Sequence, residues 1–370
     1  MRLAVDVMGG DHAPDEILKG CVQAIDLLEP DDRLILVGPR AVIEEHLKER
    51  GLSGDVRLEV HDAPDMIAMH EPPARAVRTK SNASIVQTAL LGSRKAEVRC
   101  DAALSAGNTG AFVSAAIMHQ KRLKGVHRPG IAVTVPAFHG PVVLCDAGAN
   151  PEPKGTHLWQ YGVMADIYAR KVHGIENPRV ALMNIGAEEG KGSELVKQAR
   201  DLLKRTPGLN FIGYVEGRDF FDGVADVVIT DGFVGNTVLK VAEGLAKSLF
   251  AAIAQEIFET SPELAVKFEP VVKQIYKKND YHETGGAPLL GVNGVVVISH
   301  GSSEARTIRA AIRNAKKYVT AGLNDAIIER MNEVAPIEHT AHTTHADNTP
   351  AAVITTDPSA GSASSQREPA

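Results

Sequence analysis

Short runs of β-forming, apolar residues recur along the chain, and longer stretches with helical periodicity separate them. Most runs are apolar throughout rather than alternating, which is typical of parallel strands buried on both faces of a sheet. The helical stretches have the length that right-handed crossovers need. The pattern therefore predicts a doubly wound, Rossmann-like three-layer α/β/α sandwich with a mostly parallel sheet. The predicted strands are 3–7, 34–37, 57–60, 102–105, 131–135, 142–145, 180–185, 210–214, 227–230 and 295–299.

Composition and charge exclude several classes of function. Aromatic residues make up 4% of the 370 residues and the net charge is -6, so we expect no nucleic-acid partner. The three cysteines lie far apart and without C-x-x-C spacing, which predicts a reducing compartment and neither a disulfide nor a zinc site. We expect no metal and no cofactor. No signal peptide or spanning apolar run is visible, so we expect a cytoplasmic protein with at most peripheral membrane contact.

Two segments depart from the strand–helix rhythm. Within a predicted single domain over 1–335, residues 238–281 carry apolar residues at helical spacing, interrupted at Pro270, and predict a helical pair. This pair either packs on the sheet or on a second subunit, or it forms an amphipathic tip on a membrane surface. The tip residues are Leu249, Phe250 and Ile253. Residues 336–370 are rich in Ala, Thr, Ser and Pro and predict a disordered tail.

The tripeptide Gly-Asn-Thr occurs twice, at 107–109 and at 235–237, each time between an apolar run and a helical stretch. Asn108 is a natural helix cap, and the exposed N–H groups of a helix start can bind an anion. Asp231 lies beside the second copy. Because ligands of open α/β sheets bind beyond the carboxyl ends of the strands, we expect these loops to form one shared rim at that edge.

Other polar loops follow predicted strands in the same way. Asp11 and His12 follow two glycines after the first strand, where Asp11 either caps the next helix or fixes a ligand. Asp146 and Asn150 follow another strand, where Asp146 either caps the next helix or contacts a ligand.

Basic residues could hold an anionic ligand. Lys191 lies between two glycines at a helix start, which favours anion binding although the spacing does not match a Walker motif. Arg78 and Lys80 either neutralise an anionic ligand or belong to a solvated helix start. No nucleophile signature is present. These groups suit direct attack by a bound anion better than a covalent enzyme intermediate.

Six stretches together resemble the bacterial phosphate acyltransferase family PlsX, from residue 1 to about residue 330. They are A-V-D-V-M-G-G-D-H-A-P, S-A-G-N-T-G-A, C-D-A-G-A-N, N-I-G-x-E-x-x-K-G, D-G-F-V-G-N and G-A-P-L-L-G-V-N-G. The family commonly has two serines where this chain has Ala83 and Ser84, so only Ser84 is carried over.

The resemblance implies a fold similar to phosphotransacetylases and isocitrate dehydrogenases. It implies that acyl-[acyl carrier protein] and inorganic phosphate give acyl phosphate and free carrier protein. The product would feed a membrane glycerol-3-phosphate acyltransferase in phospholipid synthesis. Homodimers and peripheral attachment to the inner face of the cell membrane are implied as well.

Under this resemblance Lys191 would hold phosphate, Asn236 would stabilise the oxyanion and His12 would assist the leaving thiol. The other loop residues named above, with Ser84, would contact phosphate or the thioester. An acidic carrier protein would need a basic docking surface. Three alternatives stay open: a phosphotransacetylase that uses acyl-coenzyme A, a decarboxylating dehydrogenase, and a non-catalytic membrane scaffold.

Overall fold

One mixed sheet of eleven strands runs through the part of the protein that the computed structural model describes, residues 1–137, 139–278 and 285–346. The strands are β1 (Arg2–Asp6), β2 (Arg33–Gly38), β3 (Leu58–Asp62), β4 (Ala102–Ser105), β5 (Gly130–Ala137), β6 (Gly140–Cys145), β7 (Val180–Met183), β8 (Phe211–Val215), β9 (Val227–Ile229), β10 (Ala287–Leu290) and β11 (Val295–Ile298). Their order across the sheet is β3-β2-β1-β4-β11-β10-β5-β6-β9-β7-β8.

Helices cover both faces of this sheet, as the sequence predicts. The helices are α1 (Asp15–Gln23), α2 (Arg40–Glu49), α3 (Pro73–Thr79), α4 (Ser84–Leu91), α5 (Thr109–His119), α6 (Gly155–His173), α7 (Glu194–Lys204), α8 (Gly232–Thr260), α9 (Pro262–Lys278), α10 (Ala305–Thr320) and α11 (Leu323–Ala346). In β1, Leu3 and Val5 pack in the core beneath α1, α6 and α10, and Ala4 packs in the core on the opposite face. The predicted α/β/α class is confirmed.

The strands run in two directions, and this overturns the expectation of one shared rim. The strands β1, β2, β3, β4 and β11 are mutually parallel, and so are β6, β7, β8 and β9. Antiparallel pairs join β11 to β10, β10 to β5, and β5 to β6. The two parallel groups therefore point in opposite directions. The carboxyl ends of the strands in the two groups therefore lie at opposite edges of the sheet, where an edge means the border formed by the strand ends.

Among the strands of the described residues, β10 is the one that the sequence analysis missed. It lies in the glycine-rich stretch 285–294, which we interpreted as close backbone packing or a ligand passage. Pro288 cannot donate a ladder hydrogen bond, and proline in a run argues against a central strand. The strand is accommodated because it is short: Ala287 and Pro288 pair with β11, whereas Leu289 and Leu290 pair with β5.

The predicted helical pair is present as α8 and α9, and α9 continues through Pro270 instead of stopping there. The end of the segment, near residue 281, lies outside the described residues. Helix α11 runs to Ala346, past the boundary we placed at residue 335. The later part of the tail lies outside the described residues, so a disordered tail stays a prediction.

Candidate active site

A cleft with a volume of about 1080 Å³ lies between helix α8 and the middle strands of the sheet. Among the described residues, β10 pairs with β5 only at Gly130 and Ile131, so the rest of β5 has a strand partner on one side alone. This open side of β5 lines the cleft. Most lining side chains are apolar, and they include Ile131, Val133, Val135, Ala147, Phe221, Leu239, Leu245, Leu249, Phe250 and Ile298.

The polar lining of the cleft comes from both edges of the sheet. Thr109 follows β4, and Ser299 and His300 follow β11. Asn236 and Gly148 follow β9 and β6, whose carboxyl ends lie at the opposite edge. The groups that we expected along one rim therefore meet across the face of the sheet instead.

Asn236 lies in the second turn of α8, on the wall of the cleft. Its neighbour across the gap is Gly148, where an added Cβ would lie 3.7 Å from the Cβ of Asn236. Asp231 caps the helix, since its carboxylate accepts a hydrogen bond from the Val234 N–H at 2.9 Å. The amide of Asn236 has no hydrogen-bond partner among the described residues. It is available to donate to a ligand in the cleft.

Asp146 organises the loop that follows β6. Its carboxylate is fully buried and accepts hydrogen bonds from the N–H groups of Ile131, Gly148, Ala149 and Asn150 at 2.7 to 3.2 Å. Burial raises the pKa of Asp146, and these N–H donors act against that rise. Asp146 therefore caps its own loop rather than the next helix. It holds Ala147 and Gly148 in the cleft wall.

Asn150 ties that loop to two neighbouring segments. Its side chain donates to the Pro129 carbonyl at 2.6 Å, and its own carbonyl accepts from the Gly232 N–H at 2.8 Å. A Cβ on Gly232 would lie 2.7 Å from this carbonyl, so the contact needs glycine. The start of α8 is thus fixed against the β6 loop.

The two Gly-Asn-Thr copies have different structural roles. Asn108 is the N-cap of α5 and accepts from the Ala111 N–H at 3.0 Å. Its amide nitrogen donates to the carbonyls of Ala68, Met69 and Glu71 at 3.1 to 3.3 Å. Asn108 is buried and fully hydrogen-bonded, so it shapes the wall as a structural residue. Contact of Asn108 with substrate stays a prediction.

A second polar cluster lies where the loop after β1 meets the loop after β4. Asp6 is buried and accepts from Ser105 Oγ at 2.7 Å. Burial raises the pKa of Asp6, against the hydrogen bonds from Ser84 and Ser105. A Cβ on Gly9 would lie 2.4 Å from the Asp6 carboxylate, so the glycine allows the two loops to touch. Ser84 is also buried here, and its side chain hydrogen-bonds to the Asp6 carboxylate.

Asp11 and His12 are exposed on the same loop, outside the lining of the cleft. The Asp11 N–H donates to the Gly301 carbonyl at 2.7 Å, which places the loop beside the segment that carries His300. Helix α1 has no side-chain cap, so Asp11 does not cap it. Catalysis by His12 and ligand binding by Asp11 stay predictions.

The predicted phosphate ligands lie outside the lining of the cleft. Lys191 and Arg78 are exposed and make no ion pair with a described residue. Lys191 lies in the loop after β7, at the same sheet edge as the β6 and β9 loops. Lys80 is already paired, because its ammonium donates to Glu71 at 2.8 Å and to the Met66 carbonyl at 3.1 Å.

The sequence analysis missed several polar residues of the cleft, among them Lys240, Ser299, His300 and Arg306. Lys240 lies one helical turn after Asn236, and its ammonium contacts His300 Nε2 and pairs with Glu243 at 3.0 Å. His300 Nδ1 lies 2.7 Å from Ser302 Oγ. The hydroxyl of Ser299 is buried without a hydrogen-bond partner among the described residues. The polar stretch H-G-S-S, which follows the last predicted strand, is the sequence signal that would have identified this loop as part of the site.

The tip residues divide between the cleft and the outer surface. Leu249 and Phe250 line the cleft, whereas Ile253 lies beyond it and is 38% exposed. No helix among the described residues is long and apolar enough to cross a membrane. Those residues also contain no group of three or more His, Cys, Asp or Glu side chains arranged to hold a metal ion.

The chain matches a family of acyl-transfer proteins across most of its length. The model described as "fatty acid synthesis protein" matches residues 1–326. A phosphate acyltransferase from Dictyoglomus thermophilum is 44% identical over 338 residues, which cover 90% of this chain and 98% of that protein. The phosphate acyltransferase of Bacillus subtilis is 42% identical, with coverage of 90% and 98%. The chain therefore belongs to the phosphate acyltransferase family, PlsX.

Solved structures support the fold at much lower identity. A phosphotransacetylase from Streptococcus pyogenes aligns with a TM-score of 0.58 and 16% identity, over 87% of this chain and 94% of that one. The EutD phosphotransacetylase from Staphylococcus aureus aligns with a TM-score of 0.53 and 15% identity, over 88% and 94%. These likenesses establish a shared α/β fold, as the sequence predicts.

Proposed function

We propose that this protein transfers an acyl group from a thioester to inorganic phosphate and releases acyl phosphate. The observation that supports this most directly is the cleft, whose lining is mostly apolar and also carries polar side chains. The apolar side chains of β5 and α8 suit a fatty acyl chain, whose burial contributes about 0.8 kcal/mol per CH₂ group. Its polar side chains include Asn236, Lys240, His300 and Arg306, which suit a phosphate and a polarised carbonyl.

The reaction needs few groups from the protein. A phosphate oxygen attacks the thioester carbonyl carbon, a tetrahedral oxyanion forms, and the C–S bond then breaks. The proton of hydrogen phosphate ends on the released thiol, so atoms and charge balance. Positioning both substrates and stabilising the oxyanion supply most of the rate enhancement of such a step. The free amide of Asn236 is the oxyanion donor in this proposal, and cations neutralise the phosphate.

We also propose that Lys191 binds the phosphate, although it does not line the cleft as Asn236 does. It is a cation without an ion pair among the described residues, in the loop beside the β9 end, at the sheet edge where α8 begins. Lys240 lies within the cleft itself. Comparing alanine variants of the two residues separates them, since the true phosphate ligand raises the KM for phosphate when it is lost.

The acyl donor in this proposal is acyl-[acyl carrier protein], and no cofactor takes part. The second candidate donor is acyl-coenzyme A, which the shared fold with phosphotransacetylases favours. The deciding experiment supplies palmitoyl-carrier protein or palmitoyl-coenzyme A with phosphate and measures acyl phosphate and free thiol. We expect phosphate-dependent product with carrier protein at a much higher kcat/KM. Absence of phosphate-dependent thiol release from both donors would exclude the proposed activity.

The exposed apolar side chains of the helical pair suggest how the amphipathic acyl phosphate leaves the protein. Val241, Leu245, Leu249 and Ile253 recur every four residues on α8 and are 38 to 65% exposed. We propose that this stripe lies on the inner face of the cell membrane in the cytoplasm, where acyl phosphate passes to a membrane glycerol-3-phosphate acyltransferase. We also propose a homodimer. Light scattering with and without anionic vesicles tests both, and a monomer at all concentrations would exclude the dimer.

A further inference from the structure

A compact group of basic residues lies on the surface beside the β6 loop. Residues 120–129, between α5 and β5, contain no acidic residue, and the start of α6 adds Lys154. The cations of this basic patch are exposed, and none forms an ion pair with a described residue. They are Lys121, Arg122, Lys124, Arg128 and Lys154. On a chain with a net charge of -6, such a concentration of unpaired cations indicates a binding surface.

The basic patch is held in a fixed shape. Gln160 of α6 accepts from the His127 N–H at 2.8 Å and donates to the Gly125 carbonyl at 2.9 Å. The Leu123 N–H donates to the Gly291 carbonyl at 2.9 Å. Arg122 donates to the His127 carbonyl. The loop therefore presents its cations from a rigid support, which lowers the entropy lost on binding.

Several cations of the patch lie close to the same two histidines, His127 and His157. The rings of His127 and His157 meet edge to face with centroids 6.1 Å apart, and the Lys154 N–H donates to His157 Nδ1 at 3.0 Å. Burial, followed by the positive charges of His127, Arg128, Lys154 and Arg122, lowers the pKa of His157 to about 4. His157 is therefore neutral near pH 7, and the arginines and lysines carry the charge of the patch.

The patch is joined to the cleft by one residue. Asn150 donates to the Pro129 carbonyl at 2.6 Å, next to Arg128, and its own carbonyl accepts from Gly232 at the start of α8. The loop that carries Asn150 also places Gly148 in the cleft wall opposite Asn236. A protein bound on the patch would thus lie beside the loop that forms the cleft wall opposite Asn236.

We propose that this basic patch docks the acidic surface of the carrier protein that delivers the acyl thioester. This inference rests on the proposed function and goes beyond it by assigning the docking residues. Charge complementarity of this kind steers association and weakens with salt. An anionic membrane is the competing occupant, but the patch is tied to the loop of the cleft wall, whereas the exposed apolar stripe is on α8.

The test compares two double variants with equal change in charge. Arg128→Glu/Lys154→Glu alters the patch, and Lys48→Glu/Lys171→Glu alters exposed lysines on α2 and at the far end of α6. Each is assayed with acyl-carrier protein and with acyl-pantetheine, which has the same thioester but no protein surface. We expect the patch variant to raise the KM for acyl-carrier protein at least about 10-fold, with less dependence on salt. Its KM for acyl-pantetheine should stay unchanged.

The outcomes separate the two proposals. Wild-type protein that forms no acyl phosphate from either thioester overturns the proposed function. Active protein whose patch variant behaves like the control variant overturns the docking surface. Equal losses with both thioesters show damage to the active site and also overturn it. Loss of binding to anionic vesicles with an unchanged KM for acyl-carrier protein assigns the patch to the membrane instead.

Discussion

Gly235 and Asp146 approach each other so closely that a Cβ on Gly235 would lie 2.0 Å from the Asp146 carbonyl oxygen. Helix α8 therefore begins in direct contact with the backbone of the β6 loop. This contact sets the position of the next residue, Asn236, against Gly148. The glycine of the second Gly-Asn-Thr is needed for that approach, since its neighbour is backbone and cannot move aside as a side chain could.

Replacing this glycine should damage both stability and turnover. We expect Gly235→Ala to lower the free energy of unfolding by about 1–3 kcal/mol, the usual scale of overpacking, and to reduce kcat by displacing Asn236. Gly244→Ala on the same helix is the matched control, because nothing lies within 4 Å of an added Cβ there. That control should keep or raise stability by about 0.5–1 kcal/mol, as glycine in a helix interior is unfavourable. Chemical unfolding and turnover check both, and equal behaviour of the two variants would refute the close contact.

Loss of the amide at position 236 should act on catalysis alone. We expect Asn236→Ala to reduce kcat at least about 100-fold, the scale of losing one oxyanion donor, with unfolding hardly changed. Its amide has no hydrogen-bond partner among the described residues, so we expect the fold not to depend on it. Steady-state kinetics with acyl-carrier protein and phosphate measure the effect. A folded variant with normal turnover would remove Asn236 from the mechanism.

The other asparagine of the repeated tripeptide gives the opposite expectation. Asn108→Ala removes a helix cap and leaves three backbone carbonyls without their donor, so we expect a loss of stability of about 2–3 kcal/mol. The stability loss should exceed that of Asn236→Ala, and the loss of kcat should be smaller. If Asn108→Ala abolishes turnover at full stability, Asn108 contacts the substrate.

Much of the fold follows from the sequence because buried strands and amphipathic helices have clear local patterns. Leu3 and Ala4 in β1 show why, since adjacent apolar residues face opposite cores in a sheet covered on both sides. Strand direction carries no such local pattern. The strand direction reverses at β10, a strand of four residues that includes Pro288. Because of this reversal, the polar loops meet in a cleft across the face of the sheet and not along a single rim.

The site was harder to predict than the fold for a related reason. Identical tripeptides occupy different helix positions, since Asn108 precedes its helix whereas Asn236 lies inside one, because Asp231 caps α8 four residues earlier than Gly235. Lys240 and His300 are sixty residues apart and meet only because tertiary packing brings α8 against the loop that follows β11. Local patterns identify polar loops, but tertiary packing decides which of them meet.

One ion pair predicts how stability depends on acid. Burial disfavours the charge on Asp32, but hydrogen bonds from Lys316 at 2.8 Å, from the N-terminal ammonium at 2.6 Å and from the Glu29 N–H at 3.0 Å together outweigh burial and lower the pKa of Asp32 to about 2. The unfolded pKa is about 3.9, so this group stabilises the fold above that pH and its contribution is lost as pH falls towards 2. A difference of this size contributes about 2 kcal/mol.

Asp32→Asn should therefore remove part of the acid sensitivity. We expect the variant to be less stable than wild type at pH 7 by about 2 kcal/mol and closer to it at pH 3. Urea unfolding at several pH values measures the difference, with Asp31→Asn as the control, since that neighbouring carboxylate is exposed. A constant gap between wild type and Asp32→Asn from pH 3 to pH 7 would contradict the assignment.

Charged substitutions on the outer part of the helical pair should separate membrane attachment from acyl binding. Ile253 and Phe258 are 38% and 63% exposed and lie outside the lining of the cleft. We expect Ile253→Glu/Phe258→Glu to reduce flotation with anionic liposomes at least about 10-fold, since glutamate would have to enter the interface in place of apolar surface. Turnover of acyl-carrier protein in solution should stay normal. Val56→Glu is the control, because Val56 is 71% exposed elsewhere on the surface. Undiminished flotation of the double variant would exclude these residues as the membrane contact.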